Sequence, residues 1–138
     1  MTLNVNDYIP QRPPIQMIDK IEDITPGEGA TATKMLAGNE WYFANQGNHP
    51  TLPRPLVLES MAQTGVVALL SMPEYHGKNA FFGGIKQAEF KDDFRPGDVL
   101  HLKVDLLKVK HNIGIGKGVV TRDGQEIANA TLMFAVES

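Results

Sequence analysis

Residues 45–72 read NQGNHPTLPRPLVLESMAQTGVVALLSM, and this stretch decides the fold. Three prolines restrict its first part to a loop, and the last of them, Pro55, suits the first turn of a helix, where the N–H that proline lacks would be unpaired anyway. The pattern predicts a helix that begins near Arg54 or Pro55. It ends before Pro73, because the residue that precedes a proline is pushed out of the helical region.

The predicted helix is apolar on nearly every face from Leu56 to Met72. Such a helix is buried on nearly all sides. At about 1.5 Å per residue it is roughly 25 Å long, which crosses a small domain but is short for a lipid bilayer. We therefore expect a core helix and no membrane span.

Glu59 is the exception in this apolar helix, because burying an ionised carboxylate without a partner is costly. Gln63 lies one turn further on and shares its face. One interpretation is that Glu59, Ser60, Gln63 and Thr64 form a thin strip that faces solvent. The other is a functional carboxylate in the first helical turn, beside backbone N–H groups that polarise a carbonyl. The helix pattern leaves both open.

Composition bounds the remaining possibilities. The 138 residues, 42% of them hydrophobic, predict one domain over 1–138. A net charge of −3 argues against nucleic-acid or membrane-surface binding as the main activity. The absence of cysteine excludes thiolate chemistry, and the sequence has no metal-binding histidine spacing or glycine-rich phosphate motif, so we expect no metal or cofactor. The amino terminus lacks the apolar core of a signal peptide, which predicts a cytoplasmic protein.

Strand patterns flank the helix on both sides. Residues 17–24 and 30–37 predict a hairpin around the turn Thr25-Pro26-Gly27, and four further strands follow the helix at 79–90, 99–109, 113–121 and 126–136. We predict two strands, the helix and then a meander of about four strands, all antiparallel, in an α+β domain whose sheet wraps the helix. Edge strands left unpaired predict a homodimer.

Three local patterns carry smaller predictions. The glycines of HNIGIGKGVV alternate with other residues along a strand, which indicates a bend or close backbone packing. His101 lies on the polar face of its strand and is expected to face solvent. Trp41, Tyr42 and Phe43 predict either core packing or the wall of an apolar pocket.

Four blocks of sequence together resemble one known family. They are IPQRPP at 9–14 followed by MIDK at 17–20, ESMAQ at 59–63, FGGI at 82–85, and RPGDVL at 95–100. They resemble the hot-dog fold and, within it, the 3-hydroxyacyl-[acyl-carrier-protein] dehydratases of the FabZ and FabA kind. The resemblance implies an enzyme of fatty-acid biosynthesis that acts on acyl carrier protein or coenzyme A thioesters without a cofactor. It also implies homodimers, which in the resembled family assemble further into trimers of dimers.

The resemblance also implies site residues. The family loop H-F-P-G-x-P-x-M-P-G places a catalytic histidine where this chain has Asn45. Glu59 is then the acid/base, assisted by Asn45 or His49. Asparagine does not titrate near neutral pH, and losing a general base commonly costs about 10²–10⁴ in rate. The expected substrate contacts come from Gln63, Arg54, Phe43, Phe82, Gly83 and Pro53.

The replacement of histidine by Asn45 keeps three functions open. The first is a dehydratase with altered or reduced activity. The second is a hot-dog acyl-thioesterase that uses Glu59 with the Asn45 amide, and the third is a non-catalytic partner or acyl-binding subunit. An acidic carrier protein is expected to dock on a basic rim. Its candidate residues are Arg54, Lys86, Lys91 and Arg95.

Overall fold

The computed structural model describes residues 3–137, in which one helix packs against one six-stranded sheet. Residues 1, 2 and 138, which the single-domain prediction also covers, lie outside this part. The elements are α1 (Arg54–Leu70), β1 (Lys20–Thr25), β2 (Gly29–Met35), β3 (Ala80–Phe90), β4 (Val99–Lys110), β5 (Ile113–Arg122) and β6 (Gln125–Val136). Short 3-10 helices occur at Val5–Asp7, Trp41–Phe43 and Pro73–Tyr75. The predicted α+β class is confirmed.

The helix begins at Arg54, as predicted, and Pro53 occupies its N-cap position. Twelve of its 17 residues are buried, as its apolar pattern predicted. Of the two interpretations left open, the strip facing solvent is wrong, because Ser60, Gln63 and Thr64 are buried and Glu59 is half-buried. The hydroxyls tolerate burial because each donates to a carbonyl of its own helix, at 2.6 Å for Ser60 and 2.9 Å for Thr64.

The sheet has the strand order β1-β2-β4-β5-β6-β3, and all its pairs are antiparallel. The predicted hairpin β1–β2 is present, and the predicted meander is present for β4, β5 and β6 but wrong for β3, which does not pair with β4. The helix carries the chain across the domain, so β3 forms the far edge against β6, and residues 91–98 return the chain to pair β4 with β2. No described helix is long and apolar enough to cross a membrane.

Glycines allow α1 to lie unusually close to the sheet. A Cβ atom on Gly65 of the helix would lie 2.5 Å from Cζ of Phe134 on β6. A Cβ atom on Gly118 of β5 would lie 2.7 Å from Sδ of Met61 on the helix. Real Cβ contacts are longer than either distance, so the close backbone packing predicted for the β5 glycines is confirmed.

The aromatic cluster before the helix belongs mainly to the core. Tyr42 and Phe43 are buried, whereas Trp41 is 50% exposed and donates its Nε1–H to the carbonyl of Pro14 at 3.0 Å. The Tyr42 hydroxyl has no hydrogen-bond partner among the described residues, and burial raises its pKa above the ordinary tyrosine value. His101 is exposed, as predicted.

Candidate active site

Glu59 lies on the second turn of α1, one turn later than the interpretation as a first-turn carboxylate requires. Its side chain is half-buried, and its Oε1 accepts a hydrogen bond from Nε2 of Gln63 at 3.0 Å. Its Oε2 receives no hydrogen bond from residues 3–137. One carboxylate oxygen is therefore fixed by a hydrogen bond, and the other has no hydrogen-bond partner among these residues.

Gln63 is the group that fixes this carboxylate, and it is itself only 1% exposed. Besides contacting Glu59, its Nε2 donates to the carbonyl of Ile15 at 3.0 Å, and its Oε1 accepts from the backbone N–H of Met17 at 2.7 Å. Both of its amide hydrogens are thus committed within the protein. This geometry makes Gln63 a residue that positions Glu59, while its predicted contact with substrate stays a prediction.

The segment held by Gln63 is the proline-rich entry of the chain, residues 9–17. The Arg12 side chain folds back along the preceding chain and donates to the carbonyls of Ile9 at 2.7 Å and Asn6 at 3.2 Å. The indole of Trp41 holds it from the other side. The entry segment therefore connects the helix that carries Glu59 with the chain that leads to Asn45. Sequence reasoning missed this connection, whose only local signal is the proline spacing.

Asn45 and His49 lie in the loop 44–53, and both are exposed. Asn45 has φ +61°, in the left-handed region that asparagine adopts more readily than most residues. The loop is organised by Gln46, which donates to the carbonyls of Tyr42 at 2.7 Å and Thr51 at 2.8 Å and accepts from the Thr51 N–H at 2.9 Å. Gln46 stands at a position the sequence analysis left without a role.

Within residues 3–137, no hydrogen bond joins Glu59 to Asn45 or His49. The predicted catalytic residues therefore form two separate groups in one chain. The first is the Glu59–Gln63 pair on α1. The second is the exposed loop that ends where α1 begins.

The loop is joined to the helix at residues 52–54. The backbone N–H of Leu52 donates to the carbonyl of Phe94 at 2.8 Å, and Arg54 donates its Nε–H to Oδ1 of Asp93 at 3.1 Å. The Arg54 guanidinium also lies 4.8 Å from the centre of the Phe90 ring. Arg54 is thus turned toward the segment that follows β3, and Pro53, beside it, is exposed.

The remaining predicted contact residues divide between core and surface. Phe43 is buried in the core, and Phe82 on β3 is half-buried, 6.5 Å from the Phe134 ring. Gly83 is exposed beside an irregularity in the β3–β6 ladder. On the same edge strand, Phe81 and Ile85 are 56% and 43% exposed.

The predicted basic rim is largely neutralised by neighbouring carboxylates. Arg54 pairs with Asp93 at 3.1 Å, Lys91 with Glu126 at 3.5 Å and Arg95 with Asp92 at 3.7 Å, while Lys86 is exposed. A second basic surface, which sequence reasoning missed, lies on the β4–β5 hairpin. There a cleft of about 240 Å³ is lined by Lys108, Lys110, His111, Ile113 and Ile115.

Comparisons with known proteins agree with this fold. Residues 9–131 match the family described as the FabA-like domain. The 3-hydroxyacyl-[acyl-carrier-protein] dehydratase FabZ of Ligilactobacillus salivarius is 46% identical over 134 residues, which cover 96% of this chain and 95% of that protein. The corresponding FabZ of Enterococcus faecalis is 45% identical over 134 residues, covering 96% of this chain and 94% of that protein.

Two solved structures show the same fold at low sequence identity. The dehydratase heterocomplex ApeI:P from Xenorhabdus doucetiae superposes with a TM-score of 0.83 at 20% identity, covering 100% of this chain and 93% of that one. The protein smu.793 from Streptococcus mutans, bound to acetyl CoA, gives a TM-score of 0.70 at 14% identity, covering 95% and 97%. Together with the helix wrapped by its sheet, these likenesses identify the hot-dog fold.

Proposed function

This chain belongs to the FabA-like domain family, and from that premise we propose that it is a 3-hydroxyacyl-[acyl-carrier-protein] dehydratase of fatty-acid biosynthesis. The observation that carries the proposal is the identity to FabZ proteins along nearly the whole chain. The hydrogen-bonded pair of Glu59 and Gln63 supports it, because it provides an oriented carboxylate.

Dehydration of a 3-hydroxyacyl thioester breaks the Cα–H and Cβ–O bonds, forms the double bond between these carbons and releases water. It needs a base for the α-proton, an acid for the departing hydroxyl and a donor to the thioester oxygen, where negative charge develops. Glu59 performs both proton transfers in our proposal. Its carboxylate accepts the α-proton and then delivers a proton to the departing hydroxyl, which returns it to the ionised state.

Asn45 serves this reaction as a hydrogen-bond donor and not as a base. Its side-chain amide carries two N–H groups but does not titrate near neutral pH. We propose that the Asn45 amide donates a hydrogen bond to the thioester oxygen or to the substrate hydroxyl. A site with one titrating group is expected to be slower than a site with two, by about 10²–10⁴.

The complete site forms between two copies of the chain in this proposal. Within one chain Glu59 makes no hydrogen bond with the loop 44–53, and in our proposal the loop of a second copy reaches the carboxylate instead. The edge strand β3 supports such pairing, since Phe81 and Ile85 are exposed beside an open row of backbone groups. Acyl carrier protein is the proposed carrier of the substrate.

Asn45 also supports two further candidates. A carboxylate with a loop amide suits thioester hydrolysis, in which Glu59 activates water or attacks the carbonyl and Asn45 orients the water or the thioester. A chain without the family histidine also suits a partner subunit, which supplies half of a composite site to an active homologue. The products separate these candidates from dehydration.

The test is to incubate the pure protein with 3-hydroxyacyl and saturated acyl thioesters, following enoyl absorbance and thiol release separately. Enoyl formation that Glu59→Gln abolishes is the expected result. Asn45→His should raise the rate by about 10²–10⁴, because it restores a titrating base at the family position. Asn48→Ala, at an exposed position of the same loop, is the matched control and should leave the rate unchanged, whereas His49→Ala tests whether His49 assists Glu59 instead.

Each other outcome points to a different function. Thiol release without enoyl product would identify a thioesterase. Silence in both assays, followed by activity in a mixture with a histidine-containing homologue that exceeds the activity of that homologue alone, would identify a partner subunit. Loss of activity in His49→Ala would show that His49, and not Asn45, assists Glu59.

A further inference from the structure

Arg122 is the last residue of β5, and its side chain contacts three aspartates that lie outside its own hairpin. Its Nη2 donates to Oδ2 of Asp92 at 2.8 Å. Its Nη1 donates to Oδ2 of Asp98 at 3.0 Å and to the carbonyl of Asp93 at 2.9 Å. The guanidinium also lies 5.5 Å from the centre of the Phe94 ring. One side chain thus contacts both ends and the middle of residues 92–98.

These contacts hold together the segment that returns the chain from β3 to β4. Asp98 Oδ2 also accepts from the backbone N–H of Arg95 at 2.8 Å, and the Asp98 carbonyl accepts from the N–H of Leu36 at 2.9 Å. The Arg122 side chain is only 19% exposed, so its ion pairs are partly shielded from solvent. Such contacts are worth more than those of a fully exposed ion pair.

The segment held by Arg122 is the one that joins the loop to the helix. The Phe94 carbonyl receives the Leu52 N–H, and both residues are 1% exposed, so this backbone hydrogen bond is buried. Asp93 receives the Arg54 side chain. Leu52 ends the loop that carries Asn45, and Arg54 begins the helix that carries Glu59. A shift of residues 92–98 would therefore move both parts of the site.

We propose that Arg122 is a positioning residue, which fixes the junction at residues 52–54 by holding residues 92–98 against it. The effect of Arg122 on the structure of the junction follows from these contacts alone. Its effect on catalysis rests on the proposed dehydratase function. Arg122 needs no contact with substrate in this role, because it acts through Asp93 and Phe94.

The test measures hydrogen–deuterium exchange at the Leu52 amide together with kcat and KM. Arg122→Met should accelerate exchange at Leu52 by about tenfold, because the segment that accepts this N–H is released. Arg122→Lys retains the charge but not the planar fork, and should accelerate it by about threefold. In the same variants kcat should fall by up to about tenfold while KM for a short thioester changes little.

Val120→Ala is the matched control, since it removes buried volume two residues away on β5 but leaves the hydrogen bonds from Arg122 to residues 92–98 in place. It should lower the melting temperature. At temperatures where the two proteins have the same free energy of unfolding, exchange at the Leu52 amide should stay within about twofold of the wild type. Equal acceleration in Arg122→Met and Val120→Ala would overturn the proposal. If the wild type turns over no thioester, the proposed function fails, but the Leu52 amide still decides the role of Arg122.

Discussion

The contact of α1 with the sheet and the junction of α1 with its preceding loop are built in opposite ways. At the first, Gly65 and Phe134 fit by shape, with no polar group between them. At the second, Leu52 and Arg54 are held by directional bonds to residues 93 and 94. Stability therefore depends mainly on apolar packing and site geometry on hydrogen bonds, so different substitutions should change each of them separately.

The difference has a chemical cause. The apolar helix gains free energy from any close-packed neighbour, so small residues suffice to let it approach the sheet. The loop 44–53 has two prolines, which removes two backbone donors, and its exposed residues bury little area. The conformation of the loop therefore depends mainly on its few remaining hydrogen bonds.

Gly65→Ala should produce the largest effect on stability. Its new Cβ would lie 2.5 Å from Cζ of the buried Phe134 ring, so ring or helix must move. Overpacking costs up to about 3 kcal/mol, and better helix propensity returns about 1 kcal/mol, so we expect a net loss of about 2 kcal/mol. Chemical denaturation measures this loss.

Gly118→Ala is the informative companion to that variant. Its Cβ would meet Sδ of Met61 at 2.7 Å and Cβ of Met61 at 3.3 Å; the sulfur can turn aside but the Met61 Cβ cannot, so we expect a cost of about 1 kcal/mol, below that of Gly65→Ala. Adding Phe134→Leu should lessen the effect of Gly65→Ala. A loss that is as large at Gly118 as at Gly65, or unchanged by Phe134→Leu, would contradict the shape-fitting account.

Gln46→Ala should have a smaller effect on stability and a clear effect on the loop. It removes the hydrogen bonds to Tyr42 and Thr51 from an exposed position, so we expect a loss of about 1 kcal/mol or less. Exchange at the Thr51 amide should accelerate by about tenfold. Asn48→Ala, at an exposed position of the same loop, should leave that amide unchanged. A similar response in both variants would show that Gln46 does not organise the loop.

Asp92→Asn should have the smallest effect, and the effect should depend on pH. The hydrogen bond from Arg122 holds the pKa of Asp92 below its usual 3.8. A carboxylate whose folded pKa is depressed contributes stability above its unfolded pKa, and this contribution is lost as pH falls through the folded pKa. The variant should melt slightly below the wild type at pH 7, and the gap should close under acid. A gap independent of pH would deny the ion pair this role.

The fold was predictable to the extent that its signals are local. Proline placement located the start of α1, and the strand patterns at 113–121 and 126–136 located β5 and β6. The position of β3 was not predictable in this way. Its partner is β6, and only the packing of the whole sheet around the helix decides that pairing.

The candidate site was predictable in its residue types but not in its connections. Glu59 stands out as the one carboxylate in an apolar helix. The helix pattern left open whether Gln63 faces solvent, because nothing in it shows that Gln63 is hydrogen-bonded to Met17 and Ile15. Arg122 carries no local signal of its contacts, since its partner Asp92 lies 30 positions away along the chain. Contacts of this length follow from topology and not from periodicity.

The hydrogen bond from Trp41 to Pro14 has a practical consequence. The sequence contains a single tryptophan, so the intrinsic fluorescence of the protein comes mainly from one indole. That indole is half-exposed, joins the proline-rich entry segment and lies four residues before Asn45. Its emission wavelength therefore reports on the docking of this segment beside the candidate site, without any added label. Trp41 fluorescence is therefore expected to change when substrate binds at the candidate site.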